Sequence, residues 1–172
     1  MPNLILCLSE SDIKNKIELL AKKISSDYQN SEVILIGVLK GAVIFFSDLV
    51  RKLSIPVKFD FVCASSYGSN TFSSGKINII KPITSNIYNK EVIIVEDIVD
   101  TGLTLGYLID YIKSFEPKSI KICAFIDKKE RREQNIIIDY IGVTIDSGFL
   151  VGYGLDCDEE YRALKEIFYL KT

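Results

Sequence analysis

A chain of 172 residues, 48% apolar and 26% charged, can bury a sizeable core of its own and reads as one domain, residues 1–172. Its formal charge of -2 argues against nucleic acid as a bulk electrostatic partner. No apolar run reaches the roughly 18 residues of a membrane span and no basic-then-apolar leader is visible, which predicts a cytoplasmic protein without membrane contact. In chain order, Ser9 is an N-cap for a helix with Ile13, Ile17, Leu20 and Ile24 on one face. Val33 to Val38 is a continuous apolar strand closed by the turn from Gly37 to Gly41, and Ala42 to Leu53 is a second helix ended by Ser54-Ile55-Pro56. Strands at Val57 to Ala64 and Lys76 to Ile80 flank a Ser/Gly-rich segment, Ser65 to Gly75. A strand from Val92 leads into a helix bearing Leu105, Leu108, Ile109 and Ile112 that reaches about Phe115 before the break at Pro117. Ile120 to Ile126 and a shorter stretch near Tyr140 to Val143 complete the strands. This alternation predicts an α/β fold, an open and mostly parallel sheet flanked by helices, with ligands beyond the carboxyl ends of its strands.

Histidine is absent, which excludes Ser-His-Asp triads, HExxH zinc sites and imidazole proton transfer. A general base must then be a carboxylate, Lys, Tyr or Cys, and a metal must accept oxygen ligands, which points to magnesium. Cys7, Cys63, Cys123 and Cys157 lack CxxC spacing and read as reduced thiols. The pair Gly152 and Gly154 is a weak dinucleotide signal, with Cys157 where a third Gly would stand.

The most informative stretch runs from Val92 to Leu105. Its β-branched residues make a strand covered on both faces, and Glu96, Asp97 and Asp100 crowd its end. Thr101-Gly102-Leu103-Thr104 then opens the helix, where free amides and the positive helix end hold a phosphate and two hydroxyls add donors. Glu96 and Asp97 would face polyols or a metal, since they would repel the phosphate.

This stretch resembles the phosphoribosyl-pyrophosphate (PRPP) signature of the type I phosphoribosyltransferases. With four further segments, the whole chain is similar to the hypoxanthine-type purine members of that family. The resemblance implies the family's sheet with a small hood formed by the terminal segments. It also implies transfer of the 5-phosphoribosyl group from PRPP to N9 of hypoxanthine or guanine, giving IMP or GMP and pyrophosphate. Mg2+ and a homodimer or homotetramer come with it. The loop Asp100, Thr101, Gly102, Leu103 and Thr104 would anchor the 5′-phosphate. Glu96 and Asp97 would address the ribose hydroxyls, directly or through magnesium. Asp100 would accept the proton near purine N7, its basicity raised by the like charge of Glu96 and Asp97.

In Phe149-Leu150-Val151-Gly152-Tyr153-Gly154-Leu155-Asp156 and Tyr161-Arg162 the resemblance makes Phe149 the face on which the purine stacks. The backbone of Leu150 would meet the pyrimidine edge, Asp156 would bind magnesium, and Arg162 would grip pyrophosphate. Considered alone, Phe149 is a core aromatic and Arg162 a surface ion pair. Leu39-Lys40-Gly41 matches a loop whose amides receive pyrophosphate and whose Lys40–Gly41 peptide is cis or switchable; alone it is a strand-to-helix turn. Ser66 and Tyr67 resemble the family's lid pair, which would keep water from a reactive ribosyl centre. Lys128 aligns with the lysine donating to the purine 6-oxo group, with Lys129 the neighbouring candidate. Such a donor would reject adenine by roughly 10⁴ if buried. Leu150 in place of Val or Ile, the missing Pro before Asp146, and the segment Tyr161 to Glu166 depart from the family pattern and leave base preference open. Rival readings are a PRPP-binding regulatory protein on the same fold and an aspartate-dependent phosphatase or P-loop-like binder. The chain carries neither GxxxxGK[ST] nor an Asp-x-Asp nucleophile pattern.

Overall fold

Continuous apolar strands need cover on both faces, and the flanking helices supply it. The computed structural model describes residues 3–66 and 77–171. Its elements are β1 (Asn3–Leu8), α1 (Glu10–Asp27), β2 (Val33–Leu39), α2 (Val43–Val50), β3 (Val57–Ser66) and β4 (Ile77–Lys81), then β5 (Glu91–Val99), α3 (Leu103–Lys113), β6 (Ser119–Lys128), β7 (Tyr140–Ile145), β8 (Leu150–Val151) and β9 (Ile167–Lys171). The main sheet has the order β4-β3-β2-β5-β6-β7, parallel except for β4 against β3. A second sheet, β1-β9-β8, is antiparallel and draws on both ends of the described chain.

Strand alternation divides the core into two layers. Val33, Leu35, Ile93, Val95, Cys123 and Phe125 meet the buried faces of α1 and α2, together with Leu150 and Ile167 from the second sheet. Ile34, Ile36, Val92, Ile94, Ile122 and Ala124 face the other way, onto Leu105, Leu108 and Ile112 of α3. Leu108 and Ile112 are fully buried, each worth about 1.5–3 kcal/mol. Packing rather than capping therefore fixes α3, whose first turn lacks a side-chain cap. By contrast α1 starts on the expected Ser9, in a capping box with Asp12.

One helix end differs from the sequence expectation, and the hood expected from the resemblance is present. The second helix stops at Val50 rather than Leu53, because the amides of Lys52 and Leu53 bond only three residues back, to Leu49 and Val50. Strands β1, β8 and β9 form the hood, although none of them has a strong local strand pattern. Of the expected strand from Lys76 to Ile80, Lys76 lies outside the described residues. The chain leaves β2 through α2 toward β3 on one side, and β5 through α3 toward β6 on the other. The crevice at the carboxyl ends of β2 and β5 is thus the switch point where ligands of such sheets bind.

Candidate active site

At the end of β5 the chain turns through Asp100, Thr101 and Gly102 into α3. Gly102 has φ +85°, a conformation costing an L side chain roughly 1–2 kcal/mol. Leu103 N–H donates to Thr101 Oγ1 at 3.3 Å, and Gly106 N–H to the Gly102 carbonyl at 2.8 Å. The amides of Gly102, Thr104 and Leu105 carry no hydrogen bond among the described residues. Unpaired amides at the positive end of a helix form an anion site. They open into a cavity of about 230 Å³ that Val38, Leu39, Ala64, Glu96, Asp100 and Thr104 help to line.

Glu96 stands on the cavity wall with its Oε2 buried and unpartnered among the described residues. Burial, and next the Asp97 carboxylate, push Glu96 well above the usual carboxylate range. Burial raises Asp97 too, against the opposing pull of Glu96, the Ile98 amide and the Arg162 guanidinium.

One flank of the cavity gathers Asp100, Lys128 and the Phe149 segment. Lys128 Nζ lies 3.5 Å from Asp100 Oδ2 and 3.3 Å from Glu130 Oε2, and that glutamate oxygen accepts from Gly148 N–H at 3.2 Å. The side chain of Lys128 is only 6% exposed against 69% for Lys129, which separates the two lysine candidates. Phe149 is 50% exposed and so is no core aromatic. Its carbonyl accepts from Leu170 N–H at 2.9 Å, while the Leu150 side chain is buried in the core beneath. The Asp100 carboxylate contacts Arg131 and Lys128, while Glu96 and Asp97 act on each other. Glu96 and Asp100 nonetheless line the same cavity.

The other flank gathers Lys40, Gly41, Asp156 and Arg162. A methyl at Gly41 would overlap the Asp97 carboxylate, and one at Gly154 (φ +99°) would overlap the Gly41 carbonyl, so three backbone segments close on each other here. Arg162 donates to the Gly154 carbonyl at 2.8 Å and pairs with Asp156 Oδ1 at 2.9 Å. Lys40 Nζ pairs with Glu159 at 3.1 Å. The cis peptide of this loop is Leu39–Lys40, one bond earlier than the Lys40–Gly41 peptide the resemblance implied.

Over residues 9–158 the chain matches the family model described as phosphoribosyl transferase domain. It is 45% identical over 167 residues to a hypoxanthine-guanine phosphoribosyltransferase of Aquifex aeolicus, covering 96% of this chain and 94% of that protein. It is 41% identical over 164 residues to the Bacillus subtilis protein of the same name, covering 95% and 91%. A crystal structure of a hypoxanthine-guanine phosphoribosyltransferase from Bacillus anthracis superposes with a TM-score of 0.92 at 42% identity, covering 97% of this chain and 98% of that one. The chain belongs to the phosphoribosyltransferase family, in its hypoxanthine-guanine branch.

Of the sequence-predicted residues of this phosphoribosyltransferase, Glu96, Asp100, Thr101, Gly102 and Thr104 line the cavity, Lys128 touches it through Asp100, and Phe149 lines a separate pocket beside Tyr169. Ser66 closes β3 at its carboxyl end, and Tyr67 lies outside the described residues. Leu103 does not line the cavity: its side chain is exposed and its amide is engaged by Thr101 Oγ1. The acid pair fits magnesium: the oxygens are hard, one is orphaned, and their mutual repulsion asks for positive charge. Among the described residues no three metal-ligating side chains converge, and both Asp156 oxygens are engaged, by Arg162 and by Glu159 N–H.

Sequence reasoning passed over the loop after β6. Arg132 donates to the carbonyls of Asp100 (2.8 Å), Val99 (2.9 Å) and Lys128 (3.1 Å) and to Asp127 (2.6 Å), bracketing the ends of β5 and β6. The amides of Glu133 and Gln134 close on the Thr101 carbonyl at 2.9 and 3.0 Å. Asp127 to Arg132 is a mixed charge run whose ordinary reading is a solvated turn, although Asp127 and Lys128 are buried.

Proposed function

We propose that this chain is a purine-salvage transferase that moves the 5-phosphoribosyl group of PRPP to N9 of hypoxanthine or guanine, releasing IMP or GMP and pyrophosphate. The observation that carries this reading is the uncapped start of α3 opening onto the same small cavity as Glu96 and Asp100. An anion grip, a polyol-facing acid and a proton acceptor then share one crevice. The amides of Gly102, Thr104 and Leu105 and the hydroxyls of Thr101 and Thr104 bind the 5′-phosphate. Glu96 and Asp97 face the ribose hydroxyls and would hold magnesium with them; Asp156 and water would hold a second ion. When bound, magnesium supplies charge that offsets that of the departing pyrophosphate.

Lys40, Gly41 and Arg162 receive the pyrophosphate at the other side of Asp97. Phe149 offers an aromatic shelf to the base, and the buried ammonium of Lys128 donates to the 6-oxo group, so a 6-amino group meets a donor with a donor. As the C1′–oxygen bond to pyrophosphate breaks and the N9–C1′ bond forms, the N7 proton passes to Asp100. Such base assistance is worth on the order of 10²–10⁴ in rate.

Phe59 and Ile80 leave apolar surface exposed at the α2 side of the sheet edge, which suits a second copy of the chain in a homodimer or homotetramer. Sedimentation would read that state. None of the four cysteines is paired, and no helix among the described residues is long and apolar enough to cross a membrane, which is compatible with a cytoplasmic setting.

Incubation with PRPP, magnesium and each of hypoxanthine, guanine, xanthine and adenine, followed by absorbance, tests the reading. Nucleotide is expected from the first two and none from adenine. PRPP binding without turnover of any base would replace the enzyme by a regulatory binder. Asp100→Asn should keep PRPP affinity while turnover falls by about 10²–10⁴; unchanged turnover removes the base assignment.

A further inference from the structure

The Asp100 carboxylate is gripped on one side only. Oδ2 accepts from Arg131 Nε at 3.0 Å and from a second nitrogen of the same guanidinium, with Lys128 Nζ at 3.5 Å. Oδ1 is buried and has no hydrogen-bond partner among the described residues. A buried acceptor without a donor is costly, so such an atom marks where a donor arrives. Arg131 comes from the loop after β6, outside the PRPP signature. Its neighbours in that loop act on the main chain instead, where Arg132, Glu133 and Gln134 hold the backbone of Asp100 and Thr101. A carboxylate on a fixed backbone still turns easily about its last torsion. A guanidinium fork on one oxygen removes that freedom, which a point charge cannot do.

We propose that Arg131 is a positioning residue that acts through Asp100: by holding Oδ2 it presents Oδ1 to the incoming purine as the proton acceptor. This rests on the phosphoribosyl transfer proposed above and adds to it the atom that takes the proton and the residue that aims it. The purine N7–H gives its proton to Oδ1 while N9 takes C1′ and pyrophosphate leaves with the electron pair of the broken bond. Arg131 stays charged throughout. Its side chain is 64% exposed, so its removal leaves the fold intact.

The test compares full-length wild type, R131M, R131K, D100N and the double variant D100N/R131M with PRPP, magnesium and hypoxanthine. R131M should lower kcat about ten- to hundred-fold with KM for PRPP and the melting temperature unchanged. R131K should recover part of that loss, since an ammonium replaces one bond of the fork. The double variant should be no slower than D100N alone, because both losses pass through one carboxylate. Wild-type kcat in R131M overturns the proposal. So does a double variant slower than D100N by the full R131M factor, which would mean an effect on the fold. If wild type itself fails to turn over, the phosphoribosyl transfer falls first; if wild type and D100N behave as expected and R131M does not, only the role of Arg131 falls.

Discussion

Gly154→Ala probes the point where three segments of the site close on each other. At φ +99° the new methyl would overlap the Gly41 carbonyl, a backbone atom that cannot rotate aside. The left-handed conformation costs a side chain roughly 1–2 kcal/mol. Forcing a packed neighbour to move costs about 1–3 kcal/mol more. Together these give roughly 2–5 kcal/mol, which at about 2–4 °C per kcal/mol for a chain of this size lowers Tm by roughly 4–20 °C. The damage should be directional. Gly154 N–H donates to the Arg162 carbonyl at 3.0 Å, the Gly154 carbonyl accepts from the Arg162 side chain, and Gly41 rests on Asp97. The flank proposed for pyrophosphate therefore shifts, whereas Lys128 and the Phe149 segment are tied through Glu130 on the opposite flank. Thermal melting and initial rates at varied PRPP and varied hypoxanthine measure both effects. KM for PRPP should rise by about tenfold or more, with KM for the base changing less. A Gly154→Ala protein with unchanged Tm and unchanged KM for PRPP would refute the close packing and the coupling built on it.

Two further predictions concern ionisation. Because burial and Asp97 raise Glu96, the folded chain holds that proton more tightly than the unfolded one, and stability falls as pH climbs from the ordinary carboxylate range through the raised one. Glu96→Gln should remove this slope, so its Tm should drop less than that of wild type between about pH 5 and 8; a steeper drop contradicts the assignment. Asp60 behaves oppositely. Burial opposes its charge, but the amides of Ser85, Thr84 and Phe61 and the Lys81 ammonium hold it well below the usual range, so its contribution is present above the ordinary Asp value and lost on acidification below it. Asp60→Ala orphans three amides, about 1 kcal/mol each, and should lower Tm at neutral pH by roughly 6–12 °C. The gap to wild type should narrow below about pH 4, and a constant gap would show that the loss is not electrostatic.

The elbow was readable in sequence because its parts are contiguous. A β-branched run, three acids, Gly102 and two threonines carry their meaning without any distant partner. Lys128 and Phe149 were harder: each has a bland reading when taken alone, and only tertiary packing buries the one and exposes the other. Arg131 and Arg132 gave no signal, because their partners lie 31 or more residues back for Asp100 and Val99, and a Lys/Glu/Arg run normally faces water. The hood was implied by the resemblance, but its individual strands carry little local signal for a related reason. Asn3–Leu8 alternates poorly and Leu150–Val151 is two residues long, so both owe their existence to β9. The cations beside Asp100 were not legible either, because Arg131 reaches it from another loop and Lys128 from the end of a neighbouring strand.

The pairing of Asn3 with Lys171 joins residues from nearly opposite ends of the chain, and Phe149 sits at the edge of the same small sheet. Contacts of such long range form late, since a large loop must close before they are rewarded. The elbow needs only one strand and the helix that follows it. On a ribosome, the proposed phosphate grip can thus take shape while the proposed shelf for the base still waits for β9 to be made.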